Sequence, residues 1–173
     1  MIGAALLAAS IAAAQSQPAA APRLAPETIQ AIQLRRRLGV EDPQSRSIIY
    51  VRSEAAHHLT DEYVRVATRG ADGRWTIVSI GEERSGILQI EPQPLPRETN
   101  LLGPADSAAL DRLLRMRALY GQRPPRERQA AIGAYFHVIE IVTPQGHVVM
   151  RWTGRLRGRL GRVASLIMGC GED

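Results

Sequence analysis

The sequence predicts an α+β fold in which one antiparallel sheet of about five to six strands, a meander plus a hairpin, is packed by two to three helices. Three segments carry this prediction: an alternating hairpin over residues 62–81, an amphipathic helix over residues 104–120, and a second hairpin from residue 134. Because an isolated hairpin is only marginally stable in water, helices are expected to cover its apolar face. A chain of 173 residues suits a single domain, which we place at residues 27–173.

The chain ahead of that domain has the composition of a targeting segment and a tether. Residues 1–14 form an uncharged apolar run that ends in Ala12-Ala13-Ala14, which predicts a signal peptide cleaved after Ala14. Residues 15–26 are rich in Ala and Pro, which predicts a disordered tether. The apolar run is too short for a transmembrane span. We therefore expect a periplasmic or secreted protein.

A helix and a strand are predicted between the tether and the first hairpin. The helix covers residues 26–38, with three arginines in its last turn, where cations interact favourably with the helix dipole, and Gly39 ends it. Residues 47–53 contain β-branched and aromatic side chains and are predicted to form a strand. Residues 55–61 are predicted to form a loop.

The first hairpin shows the period-two alternation that is typical of a strand. The dipeptide Asp72-Gly73 predicts a two-residue turn, since both residue types tolerate a tight reversal. The face predicted to be buried then contains Val64, Val66, Trp75 and Ile77. Residues 86–91 are predicted to add one strand to the meander, and the prolines at 92, 94 and 96 are expected to end it in an extended crossover.

Two further helices are predicted to pack on the sheet. The helix over residues 104–120 begins with Pro104, whose missing N–H is tolerated in a first turn, and is expected to end at Gly121. Its apolar stripe contains Ala109, Leu110, Leu113 and Leu114. The last helix is predicted over residues 159–168, with Gly169 as its stop.

The second hairpin is predicted to have a three-residue turn over residues 144–146, with Gly146 in the left-handed conformation. Pairing Thr143 with His147 assigns the side chains to two faces. The face expected to be buried contains Phe136, Val138, Glu140, Val142, Val148, Met150, Trp152 and Leu156. The outer face contains Tyr135, His137, Ile139, Ile141, Val149, Arg151, Thr153 and Arg155. Trp75 and Trp152 are therefore predicted to be core residues.

The outer face of this hairpin is the candidate binding surface. Ile139, Ile141 and Val149 would form an apolar patch rimmed by polar groups, an arrangement that usually marks an interaction site. The candidate binding residues are Tyr135, His137, Arg151 and Arg155. Three coverings are consistent with such a patch: a second protomer or other protein partner, the N-terminal helix, or an anionic surface.

Glu140 is the charged residue predicted on the buried face, where an unpaired carboxylate is unfavourable. Three explanations remain open: an ion pair with an arginine, a position at a sheet edge, or a position in a cleft. The last explanation gives an alternative function, a small secreted hydrolase with a site near Glu140.

The remaining residues predict no catalytic centre, no metal site and no cofactor. The four histidines lack the spacing of metal ligands, the single cysteine, Cys170, has no second cysteine to pair with, and no nucleophile motif is present. The net charge of +5, carried on arginine, predicts weak attraction to anionic surfaces, and secretion argues against a nucleic-acid partner. We therefore expect a non-enzymatic binding or protein-interaction module.

Overall fold

The structure, a computed structural model, confirms the α+β fold with an antiparallel sheet. It describes residues 26–43, 46–56, 59–85, 91–123, 136–154 and 157–169. The predicted signal peptide and the tether up to residue 25 lie outside the described residues. None of the described helices is long and apolar enough to cross a membrane.

Helices and strands alternate in groups along the described chain. The helices are α1 (Pro26–Arg37), α2 (Pro104–Arg115), α3 (Arg117–Tyr120) and α4 (Gly158–Met168). The strands are β1 (Ser47–Ala56), β2 (Leu59–Arg69), β3 (Trp75–Ser85), β4 (Gln93–Pro94), β5 (Glu98–Leu101), β6 (Phe136–Thr143) and β7 (Gly146–Thr153). The strands form one antiparallel sheet in the order β4-β3-β2-β1-β6-β7, and β5 pairs with β3 next to β4.

Helices cover both faces of this sheet. We call the face packed by α2, α3 and α4 the three-helix face; its buried side chains include Ile48, Tyr50, Trp75, Ile77, Ile139, Ile141 and Trp152. We call the other face the α1 face; its buried side chains Ile49, Val51, Val64 and Val138 pack beneath Ala31 and Leu34 of α1. Strand β1 lies in the interior of the sheet, and its residues from Ile48 to Val51 are buried in alternation on the two faces.

Several predicted element boundaries are corrected by the structure. The loop predicted over residues 55–61 is wrong, because β1 continues to Ala56 and β2 begins at Leu59. The helix predicted over residues 104–120 is interrupted at Met116, whose backbone is extended, with φ −78° and ψ 112°. Residues 86–90 of a predicted strand lie outside the described residues, and two short strands, β4 and β5, take up part of the expected crossover.

The first hairpin has a longer loop than predicted. Arg69 pairs with Trp75, so that three residues, 71–73, connect the strands beyond the closing hydrogen bond from the Gly70 amide to the Arg74 carbonyl. Gly73 has φ 80°, the left-handed conformation that a three-residue hairpin loop needs at this position.

The extra loop residue shifts the register by one and moves half of the predicted buried set to the other face. Val64 pairs with Ile80 and lies on the α1 face, whereas Trp75 and Ile77 lie on the three-helix face. The prediction that these side chains share a face is therefore wrong. The prediction that Trp75 and Trp152 are core residues is confirmed, since their side chains are 1% and 4% exposed.

The second hairpin has the opposite error, because its turn is shorter than predicted. Thr143 pairs with Gly146, which leaves Pro144-Gln145 as a two-residue turn. Gly146 lies in β7 directly against the ring of Tyr120, and a Cβ atom there would be 3.1 Å from the Tyr120 Cδ1. The glycine is thus used for close approach to α3 and not for a turn.

The predicted apolar patch on the outer face does not exist. Ile139 and Ile141 are fully buried beneath the helices of the three-helix face, together with Met150 and Trp152. Val149 lies on the α1 face, opposite Glu140, and is 44% exposed. The two isoleucines and Val149 therefore point to opposite sides of the sheet.

Candidate functional site

A cleft of about 410 Å³ opens on the three-helix face, beside the C-terminal end of α4. Strands β1, β2 and β3 form its floor, and the chain between β4 and β5 contributes to its wall. The lining combines aromatic, basic and acidic side chains, among them Tyr50, Arg52, Asp61, Tyr63, Arg65 and Glu98. This is the part of the three-helix face where polar groups replace the apolar core.

The register of the sheet explains how these side chains come together. Asp61, Tyr63 and Arg65 occupy alternate positions of β2 and so point to the same face. Arg52 of β1 and Gly81 of β3 are the cross-strand neighbours of Tyr63 on either side. One row across three strands therefore places a guanidinium, a phenol ring and a glycine side by side.

Gly81 allows Tyr63 and Leu95 to pack closely against β3 at the floor of the cleft. A Cβ atom at Gly81 would lie 2.8 Å from the Tyr63 Cδ1 and 3.2 Å from the Leu95 Cδ1, closer than side-chain atoms normally approach. The Gly81 carbonyl also accepts a hydrogen bond of 2.9 Å from the Leu95 amide. Glycine at this position thus lets the wall segment dock onto β3 while the Tyr63 ring lies across it.

Arg65 fixes the end of α4 at the rim of the cleft. Its Nη1 donates to the carbonyl oxygen of Ile167, at 3.3 Å, and to that of Met168. These carbonyls belong to the last turn of the helix. The carbonyl groups of a last turn accept no hydrogen bond from a following amide of the helix, and they carry partial negative charge. Gly169 then ends the helix in the left-handed conformation, with φ 69°.

Asp61 contributes an unsatisfied carboxylate oxygen to the cleft. Its Oδ1 atom is buried, and no described residue donates a hydrogen bond to it. Burying a carboxylate oxygen without a donor is unfavourable. Its cross-strand neighbour, Glu83, points to the same face of the sheet but is exposed to solvent.

A buried aromatic cluster supports the inner side of the cleft. The Tyr50 hydroxyl lies 2.7 Å from the Nδ1 of His137 and 3.1 Å from the Sδ of Met168. Both contacts are satisfied when His137 donates to the hydroxyl oxygen and the hydroxyl donates to the sulfur. Trp152 stacks on His137 with ring centroids 4.9 Å apart and an interplanar angle of 18°. Packing and hydrogen bonding therefore hold Tyr50 in one orientation.

A second, smaller cavity of about 210 Å³ lies on the opposite face, between α1 and the sheet. Its wall is mainly apolar and includes Ala31, Ile32, Ile49, Val51, Val138 and Val149. The charged or ionisable side chains in this wall are Arg35, Glu140 and His147.

Glu140 forms the ion pair that was one of the three explanations for it. Its Oε2 accepts a hydrogen bond of 2.8 Å from the Nη1 of Arg35, which is only 5% exposed. Its Oε1 lies 2.9 Å from the Nε2 of His147. Asp42 contacts the Nη2 of the same arginine. A position at a sheet edge is excluded, because β6 lies between β1 and β7, while the carboxylate also borders the cavity beneath α1.

A further charged cluster joins the end of α1 to β2 and β3. Arg37 donates hydrogen bonds to Glu62, at 2.7 Å, and to Glu82, at 2.6 Å, and Arg84 also donates to Glu82. Burial raises the pKa of Glu62 above its ordinary value, and the two arginines only partly offset this. Burial acts in the same direction on Glu82, but the hydrogen bonds from Arg37 and Arg84 outweigh it and lower the pKa of that carboxyl.

The structure places the two described members of the sequence-predicted binding set on opposite faces of the sheet. His137 is buried on the three-helix face, whereas Arg151 pairs with Val138 and lies on the α1 face. Tyr135, Arg155 and Cys170 lie outside the described residues. In the described ranges, no group of three or more His, Cys, Asp or Glu side chains is placed to hold a metal ion.

The sequence reasoning missed the cleft because Asp61 was predicted to lie in a loop. The signal was nevertheless present in β2, where Asp61, Tyr63 and Arg65 alternate with Val64 and Val66. A strand buried on both faces would carry apolar residues at both sets of positions. The polar set at the odd positions marks the part of the face where the core ends.

Comparisons with known proteins provide no relative from which a role could be transferred. No protein-family model matches the chain, and no curated protein or solved structure is significantly similar to it.

Proposed function

We propose that the protein is a non-enzymatic, secreted or periplasmic binding module that takes a small molecule into the cleft beside α4. The observation that carries this proposal is the buried Oδ1 of Asp61, which receives no hydrogen bond from the described residues. A donor group on a ligand would satisfy it. The cleft volume of about 410 Å³ falls in the range that is usual for small-molecule sites.

The lining favours a ligand that combines an ammonium group with an aromatic or other flat apolar group. The ammonium group would donate to Asp61, and the flat group would lie against Tyr63 on the cleft floor. Arg65 already donates to the carbonyls at the end of α4, which reduces its capacity to bind a ligand carboxylate. Asp61 should therefore make the cleft prefer a ligand with an ammonium group over its uncharged counterpart.

A matched pair of probes tests this preference. Tyramine carries a phenol ring and an ammonium group, whereas 4-ethylphenol carries the ring alone. We expect calorimetry at pH 7 to show tyramine binding about tenfold more tightly, the effect of one charge-assisted hydrogen bond of roughly 1.5 kcal/mol. Equal affinities, or tighter binding of 4-ethylphenol, would contradict the proposed role of Asp61.

The chain offers a control for the charge itself. Asp61→Asn should remove the preference for tyramine, and Glu83→Gln, which removes an exposed carboxylate next to it on the same face, should leave most of it. Because Asp61 is unsatisfied in the free protein, Asp61→Asn should also stabilise the fold, by about 1 kcal/mol. Loss of binding together with loss of stability would instead indicate a structural role.

The localisation in this proposal rests on residues 1–14, which have the composition of a signal peptide. Expression of the full chain in a bacterial host, followed by intact-mass measurement of the periplasmic fraction, tests it. We expect a species that begins at Gln15. A protein that stays in the cytoplasm with Met1 attached would remove the localisation from the proposal but leave the cleft unaffected.

The alternative of a hydrolase near Glu140 has less support from the geometry. One oxygen of Glu140 accepts a hydrogen bond from Arg35 and the other lies within hydrogen-bonding distance of His147, which leaves the carboxylate poorly placed to take a proton from a water molecule. Esterase and peptidase assays of the purified protein and of Glu140→Gln separate the two functions. Turnover that disappears in Glu140→Gln would favour the hydrolase.

A further inference from the structure

We infer that the cavity beneath α1 is a second ligand site, which takes a neutral, ring-sized apolar molecule with one hydrogen-bond acceptor. This site is independent of the cleft beside α4, because it lies on the opposite face of the sheet and shares no lining residue with it. The class of ligand follows from the size of the cavity, from its apolar wall and from the hydrogen bonding of one buried arginine, Arg35.

The size and the wall set the apolar part of the ligand. An apolar cavity of about 150 Å³ in a protein core stays dry and takes up benzene, and the cavity here measures about 210 Å³. Ala31, Ile49, Val51 and Val138 in its wall are almost fully buried, whereas Val149 and His147 are exposed. The inner part of the cavity is therefore apolar, and its outer part opens to solvent. A monocyclic molecule with a short substituent matches this volume.

Arg35 sets the polar part of the ligand. Its side chain belongs to the cavity wall, and its two terminal nitrogens are engaged by Glu140 and Asp42. Its Nε atom is buried, and none of the described residues accepts a hydrogen bond from it. An unsatisfied buried N–H group is unfavourable, and a carbonyl or ether oxygen on a ligand would accept this hydrogen bond.

The charges around Arg35 exclude an anionic ligand. The guanidinium group is already paired with two carboxylates, so a third negative charge would be repelled within an apolar environment. A neutral acceptor satisfies the Nε atom without adding charge. The ligand is therefore a ketone, ester, lactone or similar compound, and not a fatty acid.

Acetophenone and ethylbenzene form a matched pair of probes, since they share their shape and differ in the carbonyl oxygen. We expect both to bind the full-length protein in an amide-resolved NMR titration, with shifts at Ala31, Ile49 and Val138 and not at Tyr63 or Ser79. Acetophenone should bind roughly tenfold more tightly, because one added hydrogen bond contributes about 1 to 1.5 kcal/mol. Equal affinities, or shifts centred on the cleft, would overturn the inference.

Two variants locate the site and the donor. Ala31→Leu fills the cavity and should abolish binding of both probes. The double substitution Arg35→Met with Glu140→Gln removes the donor and the more buried of its two counter-charges, leaves the exposed Asp42 in place, and should bring the ratio of the two affinities to about one. Unchanged binding in Ala31→Leu, or an unchanged ratio in the double variant, would contradict the assignment. If a variant fails to fold, the shift map of the unsubstituted protein still decides the location.

Discussion

The two faces of the sheet are stabilised in different ways. Among the residues that the structure describes, seventeen buried hydrophobic residues form one cluster between the sheet and α2, α3 and α4, whereas seven form the cluster between the sheet and α1. The α1 face compensates with charge: Arg35 and Arg37 of α1 bind Glu140, Glu62 and Glu82 of the sheet. Because apolar burial is nearly indifferent to pH and salt while ion pairs are not, the α1 face should depend more on solution conditions than the three-helix face, where the ion pair of Arg69 and Asp111 adds to a larger apolar core.

The comparison also separates the two proposed sites. The cleft lies where the large core of the three-helix face ends, and its floor is built from strands that also contribute to this core. The cavity lies inside the small core of the α1 face, beneath a single helix of 12 residues. A ligand in the cavity should therefore contact α1, whereas a ligand in the cleft should not.

The largest expected effect of a substitution is on the three-helix face. Trp75 is 1% exposed, and its indole N–H donates to Asp111 at 3.0 Å. Trp75→Ala should lower the free energy of unfolding by roughly 3–5 kcal/mol, the usual range for a buried Trp. Leu34→Ala, in α1, should lie at the lower end of its own range, about 2–3 kcal/mol, because Leu34 packs in the smaller of the two described clusters. Chemical denaturation with equal losses for both would contradict the comparison of the faces.

The next effect concerns the ion pair at the cavity. Arg35→Met removes the partner of a carboxylate whose side chain is only 18% exposed, and should cost about 3 kcal/mol. Adding Glu140→Gln removes the stranded charge and should recover most of that loss. A double-mutant cycle by urea denaturation measures the coupling. Additive losses would show that Arg35 and Glu140 do not stabilise each other.

The kinds and order of the elements could be predicted from the sequence, because period-two and helical spacing are local properties. Both hairpins were predicted at their correct positions, and so were α1, α2 and α4 to within a few residues. The register was not predictable to the same degree. A one-residue error in loop length, of opposite sign in the two hairpins, was enough to exchange faces.

Each register error has its own physical cause. In the first hairpin, the Asp72 carboxylate accepts a hydrogen bond of 3.0 Å from the Arg74 amide, and this contact favours the three-residue loop. The residues Asp72-Gly73 are equally compatible with a two-residue turn, so the local sequence does not decide the loop length. In the second hairpin, Gly146 is fixed by the Tyr120 ring, a contact between residues 26 positions apart. The cleft depends on such long-range pairings across three strands, so its residues could not be grouped from the sequence alone.

A smaller effect with a pH dependence is expected at Asp111, on the three-helix face. Burial acts to raise the pKa of Asp111, but hydrogen bonds from Arg69 and Trp75 outweigh it, so the pKa lies below the ordinary value of 3.8. Because its pKa is lowered in the folded state, ionised Asp111 stabilises the fold at pH values above the ordinary pKa. This contribution is lost as the pH falls through the pKa of the folded state. Asp111→Asn should therefore cost about 2 kcal/mol at pH 7. Denaturation should be measured at several pH values between about 5 and about 2. We expect acidification to lower the stability of the variant less than that of the unsubstituted protein.

The smallest effects separate two carboxylates that face each other on the α1 face. Glu62 and Glu82 are direct cross-strand neighbours, and like charges in such positions repel. The pKa of Glu62 is raised, so ionised Glu62 destabilises the fold at pH values above that pKa, and protonation on acidification removes this destabilisation. The pKa of Glu82 is lowered, so ionised Glu82 stabilises the fold, and acidification removes that stabilisation. Glu62→Gln should therefore change stability at pH 7 by no more than about 0.5 kcal/mol, and in the stabilising direction, because Arg37 and Arg84 then both serve Glu82.

The same substitution at the neighbouring position should have the opposite sign. Glu82→Gln leaves two arginines without their better acceptor and should cost about 1 kcal/mol, reduced from the value of a fully buried pair because Arg37 and Arg84 are each about 40% exposed. Thermal and urea denaturation at low and high salt measure both variants, and salt should narrow the difference between them. If Glu62→Gln destabilises the protein as much as Glu82→Gln does, then Arg37 and Arg84 interact equally with both carboxylates. That result would contradict the assignment of Glu82 as their better acceptor.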